Sequence, residues 1–181
     1  MPRIDYRTQA SRCLASPDVG SQTHRPPTMR IEAPGAGDRR WLALRSRLWP
    51  DGSETEHLRC MTDVVARGQF VRLAAEHDGS AIGFVEASIR TDYVNGTASS
   101  PVAFLEGLYV EADARRRGVA RALVSAVEAW AAAAGCTELA SDSPLENSTA
   151  HTVHRALGFA ETERVVYFCR RISPARARRD G

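Results

Sequence analysis

Apolar residues recur at helical spacing in two segments in the first half of the chain. In the first segment they share one helical face: Trp41, Leu42, Leu44, Leu48 and Trp49. Asp38 is a suitable N-terminal cap for this helix, and Pro50 ends it. Ser53 and Glu56 have the spacing of a capping box, which predicts a second helix reaching about Arg67.

Alternating or continuous apolar runs predict five strands in the remainder of the chain. "FVRLAAEH" (70–77) and "AIGFVEASIR" (81–90) flank Asp78-Gly79, a dipeptide typical of hairpin turns, so these two strands should be antiparallel. The others are "AFLEGLYV" (103–110), "CTELASDS" (136–143) and "RVVYFCRRI" (164–172). Between the second and third strands lies the polar loop "TDYVNGTASSP" (91–101).

Two further helices separate the last strands. An amphipathic pattern covers residues 119–134, and another helix is expected from Asn147 to Leu157 with Gly158 as its C-terminal cap. The predicted order is two helices, three strands, then helix, strand, helix and strand. We therefore predict an α/β (mixed α+β) fold, in which helices cover the faces of a mixed sheet.

Charge is distributed unevenly along the 181 residues. Residues 1–28 lack apolar periodicity and are expected to be a disordered extension, and residues 173–181 to be a basic, flexible tail. Each of these two tails has a net charge of +2, and the whole chain has a net charge of +2. The core, 29–172, therefore has a net charge of about −2. An acidic core favours a cationic small ligand over a nucleic acid. Met29 opens this core and is a second candidate initiator.

Composition excludes several classes of protein. No apolar run is long enough to span a bilayer, residues 1–28 hold no secretory apolar region, and we expect a cytoplasmic protein without a membrane partner. The four cysteines form no CxxC pair, so neither a zinc site nor a disulfide framework is expected. All 24 cationic residues other than histidine are arginines, which excludes a catalytic lysine.

Three arginines precede the helix predicted at 119, in the stretch "RRRGVARALV" (115–124). A strand–loop–helix junction directs backbone N–H groups and the positive end of the helix dipole toward one point, where an anion can bind. Gly118 permits close approach of an anion to the backbone, and guanidinium groups suit a pyrophosphate. A solvated arginine patch, or a module that binds nucleic acid or acyl-CoA without catalysis, is the alternative. The G-x-G-x-x-G sequence of dinucleotide-binding folds is absent.

Gly107 interrupts the apolar strand that leads into this loop. A glycine inside a strand often marks a bulge or a close backbone approach. A bulge here would separate the strand from its neighbour and leave N–H and C=O groups for a peptide-like arm. Pantetheine is such an arm, with a pyrophosphate at its far end.

Together these motifs resemble the GCN5-related N-acetyltransferases (GNAT superfamily), and within it the aminoglycoside 6′-N-acetyltransferases. The superfamily motif appears here as Arg115-x-x-Gly118-x-Ala120. The similar stretches are "LWPD" (48–51), "GFVEASIRTDYVNGT" (83–97), "PVAFLEGLYV" (101–110), "RRRGVARALV" (115–124), "GCTELASD" (135–142) and "ALGFAETERVVYF" (156–168). The resemblance covers about residues 29–172.

The resemblance implies a GNAT-like, mostly antiparallel sheet with a splayed central strand pair. It implies acetyl transfer from the cosubstrate acetyl-CoA to the 6′-amine of an aminoglycoside, which would confer antibiotic resistance. A GNAT enzyme acting on another small amine or on a protein N-terminus is the alternative. A homodimer is expected from the resemblance alone.

Three residues are candidates for the chemistry. Glu106 precedes Gly107 among apolar neighbours, and the family places an acidic residue there, so we expect it to be the base. Asp142 follows "CTELAS" at the C-terminal end of a predicted strand, and the resemblance favours binding of a substrate ammonium over a turn or capping role. His154 stands where many members carry a tyrosine that protonates the leaving thiolate. A structural histidine, or a pair with His151, is the alternative.

The resemblance also nominates binding residues. Acetyl-CoA is expected to contact the end of the central strand, the loop after it and the starts of two helices: Leu108, Tyr109, Val110, Arg115, Arg116, Arg117, Gly118, Val119, Ala120 and Asn147. A backbone N–H of Leu108 or Tyr109 would polarise the thioester carbonyl. Besides Glu106 and Asp142, the substrate is expected to contact Trp49, Tyr93 and Glu163. Local sequence alone would make Trp49 a core aromatic, Glu163 a surface charge and Asn147 a helix cap.

Overall fold

Residues 29–171 are described by the structure, a computed structural model, and they form five strands and four helices. In chain order these are β1 (Arg30–Glu32), α1 (Arg39–Leu48), α2 (Glu54–Ala66), β2 (Phe70–Ala75), β3 (Ala81–Arg90), β4 (Val102–Val110), α3 (Val119–Ala133), β5 (Leu139–Ser141) and α4 (Ser148–Ala156). A single 3-10 turn, Ala112–Ala114, follows β4. The predicted extension 1–28 and the tail 173–181 lie outside the described residues.

The five strands form one sheet in the order β1-β2-β3-β4-β5. The first three pairings are antiparallel, and only β4 and β5 are parallel. The predicted hairpin joins β2 to β3: Gly79 has φ +86° and donates its N–H to the Glu76 carbonyl at 3.0 Å. The Asp78 carboxylate accepts the Ser80 N–H at 2.9 Å, which fixes the turn. The mixed, mostly antiparallel sheet is confirmed.

Helix boundaries follow the residues predicted to cap them. Asp38 accepts the Arg40 N–H at 2.9 Å at the start of α1. Ser53 and Glu56 form the reciprocal bonds of a capping box at the start of α2. Beyond α4, Gly158 adopts φ +96°, a conformation that favours glycine. These local signals predicted the helix ends correctly, because capping residues satisfy the terminal backbone N–H and C=O groups that have no partner within the helix.

Apolar side chains pack on both faces of the sheet. On one face, α1 and α2 contribute Trp41, Leu44 and Met61, which pack with Phe84 of β3. On the other face, α3 contributes Leu123 and Val127, which pack with other buried residues of the sheet. Strand β3 therefore lies between two layers of helices. Polar groups that β3 directs toward either layer are removed from water.

Two strand predictions were wrong in detail and one strand was missed. The segment 164–172 forms no strand over its described residues: Val166 and Tyr167 are exposed and Phe168 is 93% exposed. An apolar run supplies strand propensity, but a strand also needs a neighbour to pair with. The predicted strand 136–143 is reduced to β5. The missed strand, β1, has three residues, too few for a period to be recognised.

Among the described residues, no helix has the length and apolar character needed to cross a membrane.

Candidate active site

Strands β4 and β5 part in the middle of β4. Their ladder runs from Ala103–Leu139 to Leu105–Ser141 and then stops, because β5 ends. On the other side of β4 the register shifts between Leu105 and Gly107, so Glu106 is the extra residue of a bulge. The bulge expected beside Gly107 is thus present, and it coincides with the parting of β4 and β5.

The ladder with β3 determines which backbone groups of β4 face the gap. Glu111, just beyond β4, donates its N–H to the Ile82 carbonyl at 2.9 Å. Since successive residues of a strand face alternate sides, Tyr109 also turns its backbone groups toward β3. Leu108 and Val110 turn theirs toward the side where β5 has ended. The Tyr109 hydroxyl contacts the Glu111 carboxylate at 3.2 Å.

The arginine loop forms a tight connection from β4 to α3. Arg116 has φ +59° and Gly118 has φ +83°, so two residues of four adopt left-handed conformations. Gly118 is the N-terminal cap of α3 and no side chain caps this helix. The first intrahelical bond joins the Ala122 N–H to the Gly118 carbonyl at 3.0 Å. The N–H groups of residues 119–121 precede that bond and point out of the helix start.

Two of the three arginines of this loop, Arg115 and Arg117, have different partners. Arg115 Nε donates to the Val110 carbonyl at 3.1 Å, which ties the loop to β4. Arg117 forms an ion pair with Glu76 at the end of β2. The positively charged loop is thus attached to the end of β4 through Arg115 and to the end of β2 through Arg117. Val119, the first residue of α3, is buried, while Ala120 is partly buried.

Glu106 has two partners on the neighbouring strand. Ser88 Oγ donates to its Oε1 at 2.6 Å, and Arg90 NH2 lies 2.9 Å from Oε1 and 3.1 Å from Oε2. The Arg90 guanidinium also lies over the Phe104 ring, 3.4 Å from its centroid. Glu106 itself remains partly exposed to solvent. Its carboxylate is therefore held in a defined position without being buried.

Sequence analysis did not single out Ser88 or Arg90. A signal was present, because Glu86, Ser88 and Arg90 are polar at a period of two in a strand whose intervening residues are apolar. Such a stripe indicates that one face of β3 changes from apolar to polar toward its end. That face is the one that meets Glu106 across the β3–β4 ladder.

Asp142 and His154 lie at the end of β5. Leu105 and Ser141 are the last ladder pair, so Glu106 and Asp142 are the next residues on two adjacent strands. His154 Nδ1 lies 2.8 Å from the Ala150 carbonyl and its Nε2 lies 3.0 Å from Ser141 Oγ. Because a carbonyl only accepts, Nδ1 carries a hydrogen and donates it to Ala150. Nε2 contacts the Ser141 hydroxyl, which also lies 3.4 Å from the Leu105 carbonyl. Both nitrogens of His154 are therefore engaged.

The start of α4 combines a cap with a second histidine contact. Asn147 caps the helix and accepts the Ala150 N–H at 2.9 Å, as the local sequence suggested. His151 Nε2 lies 3.1 Å from the Pro144 carbonyl. The alternative that His151 pairs with His154 is therefore wrong, since each ring holds a different part of the chain.

Trp49 lies against the bulge from the α1 side. It is the C-terminal cap of α1, and its ring packs edge-on against Phe84 with centroids 6.0 Å apart. A Cβ on Gly107 would lie 2.5 Å from Cη2 of this ring, so only glycine fits beneath it. Trp49 and Glu106 both line a cavity of about 220 Å³, which also reaches Asp63 and Arg67 at the end of α2.

Tyr93 and Glu163 belong to two segments that contact each other. Tyr93 is 77% exposed in the polar loop. Asn95 Nδ2 of that loop donates to Glu163 Oε2 at 3.2 Å. Gly96 packs so tightly on Thr162 that a Cβ would lie 2.1 Å from its Oγ1. The structure thus joins the two stretches "TDYVNGT" and "ETER", but it does not bury either side chain.

Glu138 anchors the other end of the same loop. Its carboxylate accepts the backbone N–H groups of Ala98 and Ser99 and the Ser99 hydroxyl. The hydroxyl contact, more than the backbone bonds, lowers the pKa of this carboxyl from its usual value. The loop that carries Tyr93 is thereby fixed to the residue that precedes β5.

Comparison with known proteins agrees with this geometry. Residues 39–159 match the model of the acetyltransferase (GNAT) family. An aminoglycoside N(6')-acetyltransferase type 1 from Acinetobacter genomosp. 13 is 55% identical over 133 residues, covering 73% of this chain and 90% of the relative.

Two solved structures have the same fold. The aminoglycoside 6'-N-acetyltransferase AAC(6')-Ih from Acinetobacter baumannii has a TM-score of 0.77 at 48% identity, and the alignment covers 80% of this chain and 99% of that one. AAC(6')-Iy in complex with the bisubstrate analogue CoA-S-monomethyl-acetylneamine has a TM-score of 0.74 at 43% identity with the same coverage. This chain belongs to the acetyltransferase (GNAT) family, within the group of the aminoglycoside N(6')-acetyltransferases.

Proposed function

We propose that this chain transfers the acetyl group of acetyl-CoA to the 6′-amino group of aminoglycosides. The observation that carries the proposal is the parting of β4 from β5 at Glu106, directly before the loop and helix start that suit an anion. Relatives with half of their residues identical carry this activity in their names. Acetylation removes a positive charge and a hydrogen-bond donor from the drug, which would weaken its binding to RNA and confer resistance.

Acetyl-CoA would lie along the open side of β4 with its pyrophosphate at the start of α3. The Leu108 and Val110 amides face that side and can pair with the pantetheine arm, whereas the Tyr109 amide faces β3. We therefore assign the carbonyl-polarising N–H to Leu108. The pyrophosphate would receive bonds from the N–H groups of residues 119–121 and from Arg115 and Arg116. The solved neighbour AAC(6')-Iy, bound to an analogue that joins CoA to acetylneamine, supports one continuous site.

The amine would enter between Trp49, Glu106 and Asp142. An alkylammonium must lose a proton before it attacks the thioester, and Glu106 would accept that proton, directly or through water. Asp142, the next residue beyond the β5 ladder, would hold an ammonium group. Tyr93 and Glu163, on the segments that Asn95 joins, would contact more distant parts of the substrate. A carboxylate-lined entrance suits a polycation.

Collapse of the tetrahedral intermediate breaks the C–S bond and leaves a thiolate that must take up a proton. We assign the donor to the imidazolium form of His154, whose Nε2 carries a proton and lies at the end of β5, 3.0 Å from Ser141 Oγ. Asn147 would contact the cofactor through the amide group that its capping bond leaves available. Protonation of the thiolate by water is the alternative to His154.

The second candidate function is acetylation of another amine by the same machinery. A panel of kanamycin, tobramycin, spermidine and short peptides, each with acetyl-CoA, separates the two by release of free CoA. We expect release with the first two compounds alone. Release only with spermidine or a peptide would contradict the aminoglycoside proposal and leave the acetyltransferase intact. Polynucleotide affinity that falls steeply with salt, without CoA release, would support a binding module instead.

We propose further that two copies of the chain form a homodimer. Val166, Tyr167 and Phe168 are exposed apolar residues in a segment that lacks a pairing strand among residues 29–171. In the same described part of the chain, β5 pairs only with β4, so one edge of β5 is open. A second copy could cover both features and remove apolar surface from water.

The oligomeric state is measured by light scattering after gel filtration. We expect twice the mass of one chain for the wild type and the mass of one chain for Phe168→Asp. Val65→Asp, at an exposed position on α2, is the control and should remain dimeric. A monomeric wild type would contradict the proposal.

We assign the protein to the cytoplasm. Among the described residues, the thiols of Cys60, Cys136 and Cys169 form no disulfide, as in reducing compartments. Cell fractionation tests this assignment: acetyl-CoA-dependent activity in a periplasmic extract would contradict it.

A further inference from the structure

A buried polar cluster connects both helices of one layer to β3. It consists of Trp41 and Arg45 of α1, His57 of α2 and Glu86 of β3, of which the three titratable members are 1–4% exposed. Trp41 Nε1 and Arg45 Nε each donate to Glu86 Oε1 at 2.8 Å. Arg45 NH1 lies 3.0 Å from His57 Nδ1. No step of the proposed reaction uses these four side chains.

The hydrogen bonds of the cluster determine the state of His57. A guanidinium only donates, so His57 Nδ1 must accept from Arg45. The hydrogen of the neutral ring is then on Nε2, which donates to the Trp49 carbonyl at 3.1 Å. Burial, and after it the charge of Arg45, lower the pKa of His57, which keeps the ring neutral. The cluster thus ends in a directed bond to the backbone of Trp49.

The cluster contacts the candidate acceptor site at three points. His57 holds the Trp49 backbone. The Arg45 guanidinium lies over the Trp49 ring, 4.5 Å from its centroid. Glu86 faces Gly107 across the ladder, where the bulge has just displaced Glu106. Arg45 and Glu86 also line the 220 Å³ cavity on which Trp49 and Glu106 open.

Close packing at two glycines further limits where the Trp49 ring can lie. Gly107 leaves no room for a Cβ beneath the ring, and Gly52 leaves none beside His57, where a Cβ would be 2.9 Å from Nε2. Trp49 is thus held from its backbone, from its face and from its far edge. A buried ion pair adds little net stability compared with a well-packed apolar core. We therefore expect the Arg45–Glu86 ion pair to affect the geometry of the site more than the stability of the fold.

We propose that Arg45, His57 and Glu86 are positioning residues of the acceptor site, which fix Trp49 and the Glu106 bulge and so set the affinity for the amine substrate. The proposal rests on the proposed function, in which the amine lies against Trp49 and Glu106. The proposal predicts different effects on the two substrates. The cluster lies on the α1–α2 side of the sheet, whereas the proposed acetyl-CoA contacts lie at the start of α3. Loss of the cluster should weaken amine binding and spare acetyl-CoA binding.

The test compares His57→Leu with His57→Gln. Leucine removes the hydrogen bonds that the His57 ring makes with Arg45 NH1 and with the Trp49 carbonyl, whereas glutamine carries an oxygen that can accept and an amide that can donate. The KM for a 6′-amino aminoglycoside should rise about tenfold or more in His57→Leu, from the loss of two buried hydrogen bonds. The KM for acetyl-CoA should change less than about twofold. His57→Gln should recover much of the loss.

Met61→Ala is the matched control, because Met61 is fully buried on the same helix and is not a member of the cluster. It should lower the melting temperature and leave both KM values unchanged. If His57→Leu does not fold, Trp41→Phe removes one bond to Glu86 with little change of shape. It should likewise raise the KM for the aminoglycoside and not the KM for acetyl-CoA. Equal changes in both KM values, unchanged kinetics, or a rise in Met61→Ala equal to that in His57→Leu would overturn the proposal.

Failure of the proposed function is visible separately in the wild type, as absence of CoA release with any aminoglycoside. In that case the same comparison is made with whichever amine the wild type acetylates, and the same difference between the two KM changes is expected.

Discussion

Glu106 shows how one residue acquires a role from its neighbours. As the extra residue of the bulge it leaves the regular ladder, and Ser88 and Arg90 then hold its carboxylate. The sequence predicted an acidic residue at a distorted strand. The polar stripe on β3 placed Ser88 and Arg90 on one strand face but did not pair them with Glu106, because contacts across a ladder depend on a register that the bulge itself shifts by one residue.

Glu106→Gln and Asp142→Asn distinguish a base from a binding group. Loss of a base lowers the rate by ~10²–10⁴-fold. We expect kcat to fall in this range for Glu106→Gln and the acidic limb of the pH–rate profile to disappear. Loss of a uniform binding contact raises KM alone, so Asp142→Asn should raise the aminoglycoside KM by the equivalent of about 1–3 kcal/mol with little change in kcat.

Both variants are measured in a steady-state pH series with one 6′-amino substrate, and Asp63→Asn, an exposed carboxylate on α2, serves as the control. Wild-type kcat and an unchanged pH profile in Glu106→Gln would show that another group accepts the proton.

At the scale of elements, the β4–loop–α3 junction was the best predicted part of the site. Gly107 is a local signal, and the structure contains the bulge that it indicates. Gly118, noted in the sequence for close approach of an anion, adopts φ +83°. The ends of the sheet were predicted less well. Whether β1 and the segment after residue 163 form strands depends on pairing with residues distant in sequence. Local sequence patterns contain no information about such pairing.

Arg115→Ala/Arg116→Ala tests the anion contact of this junction. The KM for acetyl-CoA should rise about tenfold or more, because charge-assisted bonds to the pyrophosphate are lost, while the aminoglycoside KM changes little. Arg117→Ala is the matched control: its side chain is already paired with Glu76, so its effect should be smaller. If the double variant and Arg117→Ala behave alike, the arginine run is a solvated patch.

Gly107→Ala tests the contact between β4 and α1. The new methyl group would lie 2.5 Å from the Trp49 ring, so the ring or the strand must move. We expect a loss of about 1–3 kcal/mol in the free energy of unfolding, measured with urea, and a higher aminoglycoside KM. Gly35→Ala is the control, since no atom lies within 4 Å of its added carbon. Unchanged stability in Gly107→Ala would contradict the packing described here.

At the scale of the whole molecule, the neutral state of His57 links stability to pH. The pKa of His57 is lowered in the folded protein, so the unfolded chain binds the proton more readily. The stability that depends on this neutral ring is complete above pH 6.5, the ordinary value, and is lost as pH falls through the folded pKa. His57→Gln should therefore flatten the decline in the free energy of unfolding below pH 6.5.

Met61→Ala removes no titratable group from the same helix and provides the control for this pH series, so it should retain the wild-type slope. An identical slope in all three proteins would mean that His57 does not stay neutral in the folded state.

The sequence predicted the fold class because helix caps, the hairpin turn and the strand bulge are each encoded within a few residues. It nominated individual site residues such as Glu106 and Asp142, but not the contacts between residues from different elements. The buried cluster of Arg45, His57 and Glu86 was missed, since three polar residues from three elements have no common spacing along the chain. Only the packing of α1 and α2 onto β3 brings them together.

Acetyl transfer to the 6′-amine is tested most directly with two aminoglycosides that differ only in an amine or a hydroxyl at the 6′ position. Each is incubated with acetyl-CoA and the purified full-length chain, and free CoA is followed over time. We expect rapid CoA release with the 6′-amino compound, one acetyl group located on its 6′ nitrogen by NMR, and release at the background rate with the 6′-hydroxy compound. Equal release with both compounds, or acetylation of a different nitrogen, would contradict this expectation.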